Sequence, residues 1–111
     1  MNWSAFRIGR TLLGVFALAF LLSPSTPADD SAALYKTKCT ACHGVDGKGD
    51  TVVGKKTGAR DFASAEVQKE TDQELIDITA KGKNKMPAYA SSLSDAQIKG
   101  LVAYIHALEK K

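Results

Sequence analysis

Apolar residues near the C-terminus recur with the period of an α-helix. They lie at i, i+3, i+4, i+7 and i+10, namely at Ile98, Leu101, Val102, Ile105 and Leu108. This spacing forms one continuous apolar stripe along a helix. Ser94 and Gln97 stand just before it in the order of a capping box. The pattern predicts a terminal amphipathic helix that begins after Ser94.

Two further helices follow from the same kind of reading. Thr71 and Glu74 form a second capping box, and the helix that it opens ends at Gly82, a natural left-handed C-cap. A shorter helix is predicted over Asp30 to Lys38. No segment alternates apolar and polar residues for long enough to be a good strand. The pattern therefore predicts an all-α domain.

The stretch from Gly44 to Glu70 is rich in Gly, Lys and Asp, with at most one helical turn near Ala65–Lys69. A loop this long is unusual inside a small helical domain. It makes sense if the loop wraps around a large apolar ligand.

The N-terminal segment has the layout of a secretory signal. Arg7 and Arg10 precede an apolar run over Thr11–Leu22, and a polar stretch with prolines follows. A retained membrane anchor is the alternative, although a span needs about 20 apolar residues. We expect a Sec-type signal over residues 1–28, cleaved after Ala28, and a periplasmic product. Membrane association is expected only if this segment is retained.

Composition narrows the class of protein. The chain has 111 residues and a net charge of +3. Such a mild excess, without a basic block, gives no support for nucleic-acid binding. Removing residues 1–28 leaves a single domain over residues 29–111, too small for a generous core. Domains of this size often depend on a disulfide, a metal or a cofactor.

The motif that carries chemistry is Cys39-Thr40-Ala41-Cys42-His43. C-x-x-C-H is the pattern of c-type haem attachment. On a helical turn, positions i, i+3 and i+4 share a face, so Cys39, Cys42 and His43 can point the same way. The two thiols can then form thioethers with the porphyrin, while the imidazole binds the iron. We therefore expect one covalently attached haem c.

Three other interpretations of these cysteines compete. A redox dithiol usually accompanies a βαβ pattern, which is absent from the sequence. A structural zinc site needs four ligands, and only His106, expected to point into water, could complete the set. A plain disulfide would close a very short loop and leave the core unfilled.

Two residues are candidates for the second axial iron ligand, Met86 and His106. Met86 is followed by Pro87, which biases the preceding residue to an extended conformation. That combination holds Met86 in a rigid loop beyond Gly82. A methionine that merely fills the core needs neither the loop nor the proline, so Met86 is the preferred ligand.

Residues 31 to 109 resemble the small bacterial class I cytochromes c. The resemblance rests on Cys39-Thr-Ala-Cys42-His43, Arg60-Asp61-Phe62, Lys85-Met86-Pro87 and the terminal helix with Leu101 and Tyr104. It implies a cytochrome c fold of three to four short helices around one haem. It also implies that the first and last helices cross, with Tyr35 near Leu101 and Tyr104, and with the small Ser31 at the close approach.

The sequence departs from this family at two points. Many relatives carry a proline soon after the C-x-x-C-H motif whose carbonyl orients the ligand histidine, but none lies between His43 and Pro87. We therefore expect a loop carbonyl between Gly49 and Gly58 to hold the second nitrogen of His43. Residues 29–111 also lack the tryptophan that binds a haem propionate in some relatives. Arg60 is the candidate substitute, with an ordinary solvated arginine as the alternative, and Tyr89 is a weaker candidate.

If His43 and Met86 both bind the iron, no coordination position is open for a substrate. Methionine ligation raises the reduction potential. The sequence therefore predicts an exported monohaem electron carrier of a respiratory or photosynthetic chain, with no catalytic residues. The alternatives are a membrane-tethered cytochrome or haem subunit of a larger oxidase or dehydrogenase complex, and a haem enzyme or gas sensor with a loosely bound Met86.

Lysines suggest where redox partners dock. Lys81, Lys83 and Lys85 alternate around the Met86 loop, and Lys55 and Lys56 lie in the long loop. They could form a positive rim that steers an acidic partner protein. The alternative is that they keep a small domain soluble, which we expect to be a monomer.

Overall fold

The computed structural model describes residues 27–111 together with Gly14. The predicted signal, its apolar run and the choice between cleavage and anchoring fall on residues 1–28, nearly all of them outside the described residues. Ala28, the predicted cleavage point, lies in the first turn of the first helix. None of the helices in the described part combines the length and apolarity that a membrane crossing requires.

Six helices make up the described part, and no strand is found there, so the predicted all-α fold is confirmed. The six are α1 (Pro27–Lys38), α2 (Thr40–His43), α3 (Val52–Thr57), α4 (Ala65–Gln68), α5 (Asp72–Lys81) and α6 (Asp95–Glu109). The prediction of three to four helices was too low, chiefly because α3 lies in the stretch assigned to a loop.

Both predicted capping boxes are present. Thr71 accepts from the backbone of Glu74, whose side chain accepts in return from the backbone of Thr71. Ser94 and Gln97 do the same at the start of α6. The C-cap of α5 differs from the prediction, because Gly82 has φ +77° but an extended ψ of 163°. The chain therefore leaves α5 in an extended direction, toward Met86.

Helices α1 and α6 pack against each other, as the resemblance implied. Tyr35 of α1 is buried, and its ring centroid lies 5.0 Å from that of Tyr104. Ser31 is also buried, and a Cβ atom added to Gly100 would lie 2.5 Å from its Oγ. Gly100 and Ser31 thus form the close approach between the two helices.

The core is one cluster of buried apolar side chains drawn from α1, α4, α5, α6 and the connections between them. Its members are Tyr35, Phe62, Val67, Leu75, Leu93, Ile98, Leu101, Val102 and Leu108. Four of the five residues of the predicted stripe are in it, and Ile105 packs against it half-buried. The stripe thus faces the interior, as predicted.

Candidate functional site

The C-x-x-C-H motif forms a single helical turn directly after α1. The amide of Cys39 donates to the carbonyl of Tyr35 at 2.9 Å, and the amide of His43 donates to the carbonyl of Cys39 at 2.9 Å. The hydroxyl of Thr40 donates back to the carbonyl of Lys36 at 2.7 Å. This turn gives Cys39, Cys42 and His43 the common face that their spacing predicts.

All three side chains line one cavity of about 270 Å³, and Met86 lines it too. The walls come from every helix of the described part and are mainly apolar. Among the apolar lining residues are Phe62, Leu75, Ile78, Leu93, Leu101 and Ile105. The structure thus brings together the four residues that the sequence selects.

The imidazole of His43 is held by an aromatic neighbour. Its ring stacks on Phe62 with centroids 4.6 Å apart and an interplanar angle of 25°. Burial lowers the pKa of His43, and the backbone of Arg60 opposes that shift only in part. The lowered pKa favours the neutral imidazole, which is the form that binds a metal.

The sequence predicts that a carbonyl between Gly49 and Gly58 orients the ring of His43. The backbone group that acts on the imidazole belongs instead to Arg60, two residues beyond that stretch. Even so, Nδ1 of His43 is buried and makes no hydrogen bond of ordinary length and angle. A histidine that ligates a metal usually donates from its other ring nitrogen, and Nδ1 lacks that partner here.

The thiol of Cys39 does not have the character of a redox nucleophile. Burial raises the pKa of Cys39 to about 11, and Lys38 lowers it only in part. Reactive dithiols have depressed pKa values because the thiolate is the nucleophile. The two cysteines are also not joined as a disulfide.

A zinc site finds no support either. In the described part of the chain, no three His, Cys, Asp or Glu side chains converge on a possible metal position. His106 lies elsewhere, with Nε2 2.7 Å from Asp72 Oδ1 and Nδ1 3.2 Å from Glu109 Oε2. The expectation that His106 points into water was therefore incomplete, because its ring, about one third exposed, links α6 to α5.

Met86 lies in a small hairpin that follows Gly82. The amide of Met86 donates to the carbonyl of Lys83 at 2.9 Å, and the amide of Lys83 donates to the carbonyl of Met86 at 3.2 Å. Asn84 turns the chain with φ +53°, a conformation that Asn tolerates better than most residues. Met86 is therefore fixed in a loop, as predicted from Pro87.

Arg60 lines the cavity, but its guanidinium is already engaged. Nη1 and Nη2 donate to the two carboxylate oxygens of Glu70 at 2.8 and 3.0 Å, and Nη1 lies 3.6 Å from Glu66. Arg60 is thus not an ordinary solvated arginine. Tyr89 also lines the cavity, and its hydroxyl donates to the carbonyl of Lys38 at 3.2 Å.

Sequence reasoning missed two residues that support the C-x-x-C-H turn. The hydroxyl of Thr51 lies 2.7 Å from the carbonyl oxygen of Ala41 and 3.0 Å from that of Cys42. Gly54 of α3 packs so closely on the same turn that an added Cβ would overlap the carbonyl oxygen of Cys42. The sequence signal that could have revealed this helix is Thr51, because threonine is a favoured N-cap residue and here caps α3 three positions before Gly54.

The lysines near the Met86 hairpin are exposed at the cavity mouth. Lys38, Lys83 and Lys85 line the cavity, and the Nζ of Lys85 donates to the carbonyl of Lys56 at 3.4 Å. Lys81 is exposed but does not line the cavity. Lys55 is paired with Asp50 at 2.9 Å, so its charge is partly neutralised.

These residues fit haem c. Two thiols three positions apart, an imidazole next to the second and a thioether all face one largely apolar cavity, which is the donor set of a covalently attached haem with His and Met ligands. Nδ1 of His43 is buried without a hydrogen-bond partner. A buried polar atom without a partner is rare in native proteins and often marks a functional group. The cavity also accounts for the loop that wraps around it.

Residues 26–105 match the family described as cytochrome C oxidase, cbb3-type, subunit III. Among curated proteins, the chain is 33% identical over 104 residues to cytochrome c6 of Synechococcus sp., covering 86% of this chain and 90% of that protein. It is 29% identical to the Cbb3-type cytochrome c oxidase subunit CcoP of Azospirillum brasilense, covering 92% of this chain. Only 35% of that subunit is matched, so the chain spans about a third of its length.

Solved structures agree with the fold. The KustC0563 c-type cytochrome matches with a TM-score of 0.66 and 36% identity, over 71% of this chain and 96% of that one. Cytochrome c6 of the diatom Phaeodactylum tricornutum matches with a TM-score of 0.57 and 26% identity, over 75% and 94%.

Proposed function

The chain belongs to the c-type cytochrome family and to its cbb3-type subunit III domain family, and we propose that it is an exported monohaem protein that carries single electrons between redox partners. It is an electron-transfer protein rather than an enzyme. The observation that carries the proposal is the single cavity onto which Cys39, Cys42, His43 and Met86 all open. We propose that the signal-like segment over residues 1–28 directs export to the periplasm.

We assign Cys39 and Cys42 as the thioether attachments and His43 and Met86 as the axial ligands. Bound in this way, haem c supplies a reversible one-electron couple whose potential methionine raises. Phe62 keeps the imidazole plane fixed, and the Lys83–Met86 hairpin holds the thioether in place. The mainly apolar walls would pack against a large apolar group. If His43 and Met86 both bound the iron, no coordination position would be open for a substrate.

We propose a secondary role for Arg60 in contacting a propionate. Two of its terminal nitrogens donate to Glu70, but a guanidinium has five N–H donors. The donors that Glu70 does not use are the ones available for a second carboxylate. Tyr89 is less suited to this role, because its single hydroxyl proton is donated to Lys38.

Replacement of Met86 tests the ligand assignment. Met86→Ala should lower the reduction potential by on the order of 100 mV or more, because axial ligands set it over a range of about 0.8 V. The reduced variant should also bind carbon monoxide, which the native protein should not. Ile78→Ala is the matched control, since Ile78 lines the same cavity without a donor atom. An unchanged potential in Met86→Ala would remove Met86 from the ligand set.

We propose that Lys81, Lys83 and Lys85 form a positive docking surface for acidic redox partners. Two of the three lie at the cavity mouth, where electrons would leave. Electron transfer to a partner should then slow as ionic strength rises, because salt screens long-range attraction. Lys83→Gln with Lys85→Gln should flatten that dependence, and Lys99→Gln on α6 is the control. A rate independent of salt contradicts the docking surface.

A second candidate function is that of a haem domain within a larger oxidase, held at the membrane by residues 1–28 where that segment is retained. The match to the cbb3-type family favours it. Nearly complete coverage of cytochrome c6, against 35% of the oxidase subunit, favours the free carrier. Cell fractionation and the intact mass of the native protein separate the two, because a free carrier is released with periplasmic contents and lacks residues 1–28.

A further inference from the structure

The segment from Gly82 to Ala90, here called the Met86 segment, is anchored to α5 by backbone hydrogen bonds. The amide of Gly82 donates to the carbonyl of Ile78 at 2.8 Å. At the other end, the amides of Tyr89 and Ala90 donate to the carbonyls of Thr79 and Ala80, each at 3.1 Å. Both ends of the segment are therefore fixed to the same helix.

Two side chains of the Met86 segment form hydrogen bonds across the cavity, to the part of the chain that precedes α4 and contains Cys39 and His43. Tyr89 donates from its hydroxyl to the carbonyl of Lys38 at 3.2 Å, 51 positions away in sequence. Lys85 reaches the carbonyl of Lys56 at 3.4 Å, but its long side chain is exposed. The tyrosine is the more rigid of the two, because its ring is half-buried and packs against the core.

The acceptor of this bond has a special place. Lys38 is the last residue of α1, where backbone carbonyls lack partners within the helix, and it immediately precedes Cys39. A bond to this carbonyl therefore joins the Met86 segment to the start of the C-x-x-C-H turn. Burial raises the pKa of Tyr89, which keeps the hydroxyl protonated and able to donate.

We propose that Tyr89 is a positioning residue whose hydroxyl bond to Lys38 holds the Met86 segment closed over the cavity. The bond keeps the thioether of Met86 in place and so disfavours entry of an external ligand. This inference rests on the proposed ligation by Met86. Loss of the hydroxyl would leave the segment attached to α5 but free to open on the side of Cys39.

The experiment measures the affinity of the oxidised holoprotein for imidazole, which competes with an axial methionine, by spectroscopic titration. Tyr89→Phe removes the hydroxyl and keeps the ring. One hydrogen bond of this kind corresponds to roughly a two- to tenfold change in an equilibrium constant, so imidazole should bind two- to tenfold more tightly. Tyr104→Phe is the matched control, because Tyr104 is also half-buried and its ring packs on Tyr35; it should leave the affinity unchanged.

A second background separates this inference from the ligand assignment. In Met86→Ala the competing thioether is gone, so imidazole should bind much more tightly and the added Tyr89→Phe change should have no further effect. An unchanged affinity in Tyr89→Phe, together with a large increase in Met86→Ala, overturns the role of Tyr89 and leaves the ligand assignment intact. An unchanged affinity in Met86→Ala overturns both. A purely structural role for the hydroxyl would lower the stability of Tyr89→Phe while leaving its imidazole affinity at the wild-type value.

Discussion

Gly54 offers the sharpest test of how the C-x-x-C-H turn is supported. It occupies an interior position of α3, where replacing Gly by Ala normally stabilises a helix by about 1 kcal/mol. The structure predicts the opposite sign. A Cβ at this position would overlap the carbonyl oxygen of Cys42 and lie 2.5 Å from that of Gly49 and 2.8 Å from Oγ1 of Thr51.

The size of the effect follows from which atoms are in the way. Two of the three obstructing atoms belong to the backbone, so they cannot rotate aside as a long side chain could. Forcing an extra methyl group into a packed site costs about 1–3 kcal/mol, occasionally more. We therefore expect the steric cost of Gly54→Ala to lie at the upper end of this range. After subtraction of the gain in helix propensity, the holoprotein should be destabilised by about 2 kcal/mol.

Guanidinium unfolding of the purified holoprotein measures this change, with Gly58→Ala as the matched control. Gly58 ends the same helix with φ +74°, and an added Cβ there would meet nothing within 4 Å. Its replacement should cost only the left-handed strain of about 1–2 kcal/mol. Because Gly54→Ala also displaces Cys42, it should reduce the fraction of protein with haem attached more than Gly58→Ala does, since Gly58 lines the cavity but does not pack on the C-x-x-C-H turn. A Gly54→Ala protein as stable as the wild type, with full haem attachment, would refute the packing argument.

Two further predictions concern α6. Gly100→Ala should destabilise the protein by about 1 kcal/mol, because its Cβ would lie 2.5 Å from Oγ of Ser31. In a Ser31→Gly background this loss of stability should shrink or reverse. Equal effects in both backgrounds of this double-mutant cycle would contradict the contact. Asp72, and then Glu109, raise the pKa of His106, so its stabilising contribution is complete below the ordinary pKa of 6.5 and is lost as pH rises through the raised value. The contribution should be about 0.2–1 kcal/mol, since the ring is partly exposed. The difference in unfolding free energy between the wild type and His106→Gln, measured from about pH 6 to pH 9, should therefore narrow with pH, and a constant difference would count against the link.

The elements that sequence predicts well are those whose signals are local. The capping boxes at Thr71 and Ser94 need only residues three positions apart, and the C-x-x-C-H turn is specified within five residues. The short α3 was missed because a six-residue helix with a central glycine is unstable by itself. It persists because Gly54 and Thr51 pack on the turn that carries Cys42, a contact between segments that no local pattern reveals.

The other interactions that escaped prediction, in the site and outside it, are likewise non-local. The pairing of Arg60 with Glu70 and the link from His106 to Asp72 join residues 10 and 34 positions apart. A sequence shows which side chains can form such bonds, but which partner each one meets depends on how the helices pack. The predicted carbonyl partner of His43 is not found for the same reason, since the path of the loop decides which backbone group faces the ring.

The core and the cofactor site of this protein are largely the same set of residues. Six of the nine residues of the buried cluster also line the cavity: Tyr35, Phe62, Val67, Leu75, Leu93 and Leu101. These side chains therefore serve both to hold the helices together and to form the walls around the proposed iron ligands. Because the same packing positions His43 through Phe62 and the Met86 segment through α5, a change in the core is transmitted to both sides of the cavity. Core substitutions should accordingly alter redox properties along with stability, which distinguishes a domain built around its cofactor from one that binds a cofactor at its surface.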